Sequence, residues 1–282
     1  MMTDTRPTGM RAFTIIWVGQ VVSLLGSAMT GFALSIWAWT ITGEATALAL
    51  VGFFNFMPIV LFSPIAGALV DRWNRKLVMM ISDLAAGLST VAIFLLFNAD
   101  QLQMWHLYAA GLFSGMFQAF QFPAYSASIS LMLPKEQYAR ASGMLSLAES
   151  ASGIFAPSLA ATLLVLVDIR GVLLFDIVSF IFAVSMLFFV HIPQPKTTEA
   201  GKKGRGNLLK ESVYGFRYIW ARPSLLGLQM MFFMANLFGT MAMILVTPMI
   251  LARTDSNEQL LGLVLSAGAA GGVIGALLIS IW

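Results

Sequence analysis

The sequence contains no cysteine, only two histidines, and a charged fraction of just 10%. Without cysteine the chain has no disulfide framework, thiolate metal site or cysteine nucleophile. Soluble domains carry about 25% charged residues, so this chain has too few charges to cover a water-facing surface of its size. These deficits exclude a soluble enzyme, a nucleic-acid-binding domain and a disordered chain.

Hydrophobic residues are abundant instead: they make up 59% of the 282 residues, and the mean hydropathy is +0.84. A membrane-spanning helix needs roughly 20 consecutive, mostly apolar residues. The predicted fold class is therefore an all-α integral membrane protein, with spans over 12–40, 47–70, 77–97, 103–132, 142–167, 171–192, 224–251 and 260–282.

Lysine and arginine are distributed unevenly between the connections. Fourteen of the 16 lie at the N-terminus or in alternate connections, and only Arg170 and Arg253 fall on the opposite side. Because positively charged loops stay in the cytoplasm, we expect a multi-pass protein of the cell (inner or plasma) membrane with a cytoplasmic N-terminus.

The same pattern predicts three segments. Residues 1–192 form a six-helix bundle, 193–223 form a cytoplasmic linker with an amphipathic helix, and 224–282 begin a second bundle with helices 7 and 8. Since the sequence stops inside an apolar helix at Trp282, we expect a C-terminally truncated fragment.

Three carboxylates lie within predicted spans: Asp83, Glu149 and Asp176. Each costs on the order of 2.5–3.5 kcal/mol on membrane insertion, so each has either a structural partner inside the bundle or a task such as proton coupling. Glu149 is the nearest to mid-depth, and it shares a helix face with Gly153 and Pro157, which predict a hinge in helix 5.

Uncharged polar residues also occur within spans and are candidates for a central substrate cavity: Gln20, Asn55, Gln118, Gln121 and Asn236. Other chemistry is missing. His106 and His191 are far apart, so no metal site is predicted, and the absence of a GxxxxGK[ST] loop excludes ATP-driven transport. No nucleophile–base set is present, so we expect neither an enzyme nor a cofactor.

A basic loop between the second and third spans is the most specific motif, with the sequence Gly67-Ala68-Leu69-Val70-Asp71-Arg72-Trp73-Asn74-Arg75-Lys76. A cytoplasmic loop is expected to be basic, but this fixed arrangement resembles the GxLaDrxGrk loop of the major facilitator superfamily. Asn74 replaces the second glycine. The matching positions are Gly67, Leu69, Asp71, Arg72, Arg75 and Lys76, and Gly67 is expected to permit close packing.

Further segments resemble the drug-efflux branch of that family, which includes macrolide and enterobactin exporters. They are 17–27, 40–43 and 133–141. Residues 153–157 resemble the antiporter motif of helix 5 and residues 175–180 resemble helix 6 of the family, so the resemblance extends along nearly the whole chain. The arginine that many proton antiporters of the family carry in helix 4 is absent between Gln101 and Pro134. A proton-coupling role would therefore fall to Glu149 or Asp83.

The resemblance implies a secondary transporter that works by alternating access, with the Asp71–Arg75 region closing its cytoplasmic side. The expected partners are the bilayer, protons for antiport, and an exported amphipathic or hydrophobic molecule resembling a drug, macrolide or siderophore; nucleic acid and ATP are not expected. Two alternatives remain open: a uniporter or importer of a small metabolite, and a non-transporting membrane scaffold or sensor.

Overall fold

A computed structural model describes residues 8–193 and 217–281, apart from the side chains of residues 68 and 276–281. All regular secondary structure in these ranges is helical, which confirms the predicted fold class. The helices are α1 (Gly9–Thr42), α2 (Ala45–Val70), α3 (Arg75–Asn98), α4 (Met104–Met132), α5 (Tyr138–Phe189), α6 (Pro223–Arg253) and α7 (Glu258–Ile281), with a 3₁₀ turn at Lys135–Gln137.

The 52 residues of α5 contain two predicted spans, joined at a single non-helical residue, Asp168, with φ 62° and ψ 178°. The Asp168 side chain accepts a hydrogen bond at 2.7 Å from the N–H of Ile169, the first residue of the second half. α1 contacts both halves of α5. Ser152 in the first half donates to the Leu24 carbonyl of α1, and Asp176 in the second half lies against Gly26 of α1. The segments 138–167 and 169–189 therefore form a hairpin.

Six of the described helices, with α5 counted once, are long and apolar enough to cross a membrane. α4 is not among them, because polar side chains such as Ser114, Gln118 and Gln121 lower its hydropathy. Its 29 residues nevertheless pack between α2 and α3. These polar residues of α4 line a cavity between the helices.

Small residues allow the helices to approach closely where α1 meets α5 and α2 meets α4. A Cβ atom at Gly19 would lie 3.1 Å from the Met186 Cβ, and one at Gly111 would lie 2.9 Å from the Asn55 side-chain nitrogen. α7 approaches the first half of α5 in the same way: a Cβ at Gly262 would lie 2.9 Å from the Pro157 carbonyl oxygen.

The start of α3 meets the end of α5 at one end of the bundle. Lys76 at the start of α3 donates to the carbonyls of Val190 (2.7 Å) and Phe188 (3.3 Å) at the end of α5. These carbonyls have no partner within the helix, so the ammonium group satisfies them. Residues 194–216, most of the predicted linker 193–223 with its amphipathic helix, lie outside the described residues, and the division into three segments stays a prediction.

Candidate functional site

A polar cavity of about 340 Å³ lies inside the bundle, between α1, α2, α3, α4 and the second half of α5. Two of the three predicted carboxylates, Asp83 and Asp176, line it. Its other polar groups are mainly hydroxyls and amides, and four of the five predicted cavity residues are among them: Gln20, Asn55, Gln118 and Gln121. The cavity therefore offers many hydrogen-bonding groups in otherwise apolar surroundings.

The fifth predicted cavity residue, Asn236, lies elsewhere. It is exposed on α6, where its amide donates to the Phe232 carbonyl at 2.8 Å. That bond is local to the helix, and Asn236 is not part of the lining of the cavity. Its predicted role in binding substrate stays a prediction.

Asp83 is held by amide groups from two other helices. Gln20 of α1 donates to its Oδ2 at 2.8 Å, and Gln121 of α4 donates to its Oδ1 at 2.9 Å. The Gln121 amide also donates to the Gln20 Oε1 at 3.0 Å, which closes a ring of three side chains. Asp83 is only 8% exposed, so this ring compensates its loss of contact with water.

Asp176 is held by hydroxyl groups instead. Thr90 of α3 donates to its Oδ2 at 2.8 Å, and Ser27 of α1 donates to its Oδ1 at 3.2 Å. Gly26 of α1 makes room for the carboxylate, because a Cβ there would lie 2.9 Å from the Asp176 Oδ1. The partners of Asp83 and Asp176 thus differ in kind: amide N–H groups around one, hydroxyls around the other.

Glu149, the third predicted carboxylate, is exposed on the first half of α5 and does not line the cavity. α5 stays helical through Gly153 and Pro157, and its backbone departs from helical angles at Asp168. Gly153 and Pro157 instead face α7: a Cβ at Gly153 would lie 3.7 Å from the Ala269 Cβ. The proposed coupling role of Glu149 and the hinge in helix 5 stay predictions.

The basic motif forms a compact turn between α2 and α3. Asp71 and Arg75 form an ion pair at 3.4 Å, in which the Asp71 side chain is 72% exposed and that of Arg75 is 10% exposed. Arg75 also donates to the Ala127 carbonyl of α4 at 3.3 Å. Asn74, which replaces a glycine of the motif, caps α3 by accepting from the Leu77 N–H.

Of two further positions of the motif, Lys76 contacts another helix and Gly67 does not. Lys76 donates hydrogen bonds to carbonyl groups at the end of α5. Gly67 was expected to permit close packing, but within the described residues no atom lies within 4 Å of the place where its Cβ would be. The close approach expected at Gly67 is therefore not present between the described helices.

Sequence reasoning missed the hydroxyl groups around Asp176. Serine and threonine are common in membrane helices, so Ser27, Thr30 and Thr90 carried no signal of their own. Gly19 and Gly26, seven residues apart on α1, were the available clue, because glycines at this spacing share one helix face. Among the described residues no group of three or more His, Asp and Glu side chains forms a metal site.

Apolar helices packed around a polar cavity that carries carboxylates define a polytopic membrane protein whose interior can bind a solute. Residues 16–282 match the sequence model of the Major Facilitator Superfamily, and the chain belongs to this family of membrane transporters. The family prediction made from residues 67–76 and the related segments is thereby confirmed. Members of the family are transporters, not enzymes.

Several efflux proteins are similar in sequence. Macrolide efflux protein A of Streptococcus pyogenes is 32% identical over 187 residues, covering 64% of this chain and 45% of that protein. The multidrug efflux pump Tap of Mycolicibacterium fortuitum is 29% identical, covering 92% and 66%. The enterobactin exporter EntS of Shigella flexneri is 21% identical, covering 94% and 62%. The match to the macrolide efflux protein spans less than half of that protein.

The fold also matches a solved structure. A bacterial homologue of the human lysosomal transporter Spinster, in an inward-facing and unoccupied conformation, superposes with a TM-score of 0.69. The match covers 95% of this chain and 62% of that protein, at 16% sequence identity. At this identity the likeness concerns the fold alone.

Proposed function

We propose that this protein is a secondary active transporter that works by alternating access and exports an amphipathic or hydrophobic small molecule. The observation that carries the proposal is the cavity of about 340 Å³, which places two buried carboxylates among hydroxyls and amides inside a bundle of apolar helices. Intramembrane carboxylates of this kind mark pathways for substrates and ions. The efflux activities in the names of the similar proteins support the outward direction.

Export is driven by proton antiport, with Asp83 as the proton-binding group. Both amides that contact Asp83 donate to it, so the ring suits an ionised carboxylate. A proton on Asp83 removes one acceptor position, and the amide of Gln20 or Gln121 must then turn away or reverse. Since those amides lie on α1 and α4, protonation changes contacts between three helices, which is the coupling that an antiporter requires.

The loop between α2 and α3 controls the cytoplasmic side. Arg75 is already held by Ala127, whereas the carboxylate of Asp71 is largely exposed and accessible to a second partner. We propose that Asp71 and Arg75 close this side when the cavity opens outward, and that the contact breaks when the cavity opens inward. The gathering of basic residues at this end of the bundle supports a cytoplasmic N-terminus in the cell membrane.

Efflux from whole cells tests the proposal. Cells that express the protein are loaded with a radiolabelled macrolide or with a lipophilic fluorescent dye, and retention is compared with that in cells carrying the empty vector. We expect lower retention, which returns to the vector level when an ionophore collapses the pH gradient. Unchanged retention of every probe contradicts export, greater accumulation supports import, and efflux that survives the ionophore contradicts proton antiport.

A matched pair of variants tests the role of Asp83. Asp83→Asn keeps the shape of the side chain but cannot release a proton, so we expect gradient-driven efflux to be lost. Asp100→Asn is the control, because Asp100 is exposed in the turn after α3, and Asn tolerates its positive φ of 53°. Full proton-driven efflux by a well-expressed Asp83→Asn variant contradicts the assignment.

A further inference from the structure

A buried tyrosine lies one helical turn from the hydrogen-bonded ring of Gln20, Asp83 and Gln121. Tyr125 of α4 is 8% exposed, and its aromatic ring stacks on that of Phe13 of α1, with the ring centres 6.4 Å apart. Gln121 precedes Tyr125 by four residues, so the two side chains share a face of α4. Tyr125 is therefore enclosed between α1 and α4 next to the group that holds Asp83.

The side chain of Tyr125 is directed towards this group. Side chains of a helix lean towards its N-terminus, so that of Tyr125 leans towards Gln121. The Tyr125 hydroxyl is close enough to the Asp83 carboxylate to experience its charge, yet it does not hydrogen bond to it. The phenol thus lies behind Gln121 as seen from Asp83, within reach of the amide.

Two buried polar atoms in this region have no hydrogen-bond partner among the described residues: the Tyr125 hydroxyl and the Oε1 atom of Gln121. Buried polar atoms are nearly always satisfied, so such a pair calls for an explanation. The two atoms are complementary, because a hydroxyl can donate or accept whereas an amide oxygen only accepts. Since both side chains belong to α4, a change in their torsion angles can bring them together without moving a helix.

The amide of Gln121 has to change its contacts when Asp83 is protonated. Its nitrogen now donates to Asp83 Oδ1 and to Gln20 Oε1, an arrangement that suits an ionised carboxylate. A protonated Asp83 carries an O–H group that needs an acceptor, and Gln121 provides one if its amide reverses. Reversal moves the amide nitrogen to the place that Oε1 now occupies.

We propose that Tyr125 is a positioning residue for Asp83, which rests on the proton-binding role proposed for that carboxylate. The Tyr125 hydroxyl donates to Gln121 Oε1 while Asp83 is ionised, and so keeps the amide nitrogen turned towards the carboxylate. When Asp83 is protonated, the hydroxyl accepts from the reversed amide. Its own hydrogen then has no acceptor among the described residues, so Tyr125 stabilises the ionised state more than the protonated one.

Few other groups act on Asp83. Gln20 faces it from α1, and Gln121 and Tyr125 lie next to it on α4. In the part of the chain that the structure describes, the cavity lining includes no Lys, Arg or His, and its other titratable group is Asp176 of α5. The contribution of Tyr125 should therefore be visible in the titration of Asp83.

Infrared titration of the purified chain in detergent tests the proposal without transport. A protonated carboxyl has a carbonyl stretch that a carboxylate lacks, and the part of this band that Asp83→Asn removes belongs to Asp83. Tyr125→Phe keeps the aromatic ring, and we expect it to raise the pH of half-protonation of Asp83 by about half a unit to one unit, the equivalent of one hydrogen bond. Tyr138→Phe is the control, because Tyr138 is exposed and its hydroxyl donates to the Ser130 carbonyl, outside the cavity.

A double variant shows whether Tyr125 acts through the amide. Gln121→Met keeps the approximate shape of the side chain but removes the amide, so Tyr125→Phe should shift the titration of Asp83 no further in this background. The positioning role is overturned if Tyr125→Phe titrates like Tyr138→Phe, if its shift is to lower pH, or if the shift is equal in both backgrounds.

Failure of the proposed function gives a different result in the same experiment. If Asp83→Asn removes no part of the band from the spectrum at any pH, Asp83 does not bind a proton, and its coupling role is refuted together with the positioning role of Tyr125. A band that belongs to Asp83 but does not respond to Tyr125→Phe refutes only the positioning role.

Discussion

Gly26 of α1 lies directly against Asp176 of α5, so closely that a Cβ atom at position 26 would be 2.9 Å from the Asp176 Oδ1 and 3.1 Å from its Cα. The glycine thus allows a buried carboxylate to sit between α1 and α3, where Ser27 and Thr90 donate to it. The burial of Asp176 on α5 therefore depends on the small size of Gly26 on α1.

Gly26→Ala should therefore destabilise the folded protein. Replacing a helical glycine with alanine gains about 1 kcal/mol of helix propensity, but overpacking costs about 1–3 kcal/mol. Because backbone as well as side-chain atoms of Asp176 oppose the new methyl group, we expect the cost to prevail and the unfolding midpoint in detergent to fall. Gly31→Ala is the control on the same helix, since no atom lies within 4 Å of its Cβ position. A midpoint for Gly26→Ala equal to that of Gly31→Ala would refute this packing.

Gly262→Ala tests the contact between α7 and the first half of α5. The added methyl group would lie 2.9 Å from both the Pro157 carbonyl oxygen and the Ala161 Cβ, so α7 must move outward. We expect a stability loss of about 1–3 kcal/mol, measured as a lower unfolding midpoint. Gly268→Ala, whose Cβ position is open, should not lower the midpoint. If both variants unfold at the same temperature, α7 does not pack on α5 in this way.

Asp71→Asn separates gating from stability. Only the Asp71 side of the Asp71–Arg75 pair is exposed, and ion pairs with an exposed partner are typically worth about 0.2–1 kcal/mol; Arg75 keeps its bond to Ala127 when the pair is lost. We expect normal membrane insertion and an unchanged unfolding midpoint, but slower efflux. A well-expressed Asp71→Asn variant with wild-type efflux would contradict the gating role of the loop.

The number and limits of most helices could be predicted because they depend on the composition of short, continuous stretches of sequence. The lengths of the apolar windows and the alternation of lysine and arginine follow from the thickness of the bilayer and its charge asymmetry. The connection inside α5 lies in the gap between the predicted spans 142–167 and 171–192. Which residue of that gap leaves the helical conformation could not be predicted; it is Asp168, whose side chain accepts from the Ile169 N–H.

The site was predictable in part. Asp83, Asp176 and the amides Gln20 and Gln121 stood out as polar groups within apolar windows, but their pairing depends on contacts between residues far apart in the sequence. Gln20 and Asp83 are 63 positions apart, and Ser27 and Asp176 are 149 apart. Glu149 also lies within an apolar window, yet it is exposed on α5 and does not line the cavity.

The accessibility of a single engineered cysteine tests alternating access. The chain has no native cysteine, so Gln118→Cys places a single thiol at an exposed position in the lining of the cavity. The thiol is exposed to a membrane-impermeant maleimide, added outside intact cells in one arm and to inside-out vesicles in the other. We expect the thiol to react from both sides, and substrate to change the ratio of the two reaction rates. Reaction from one side only, with and without substrate, would contradict alternating access.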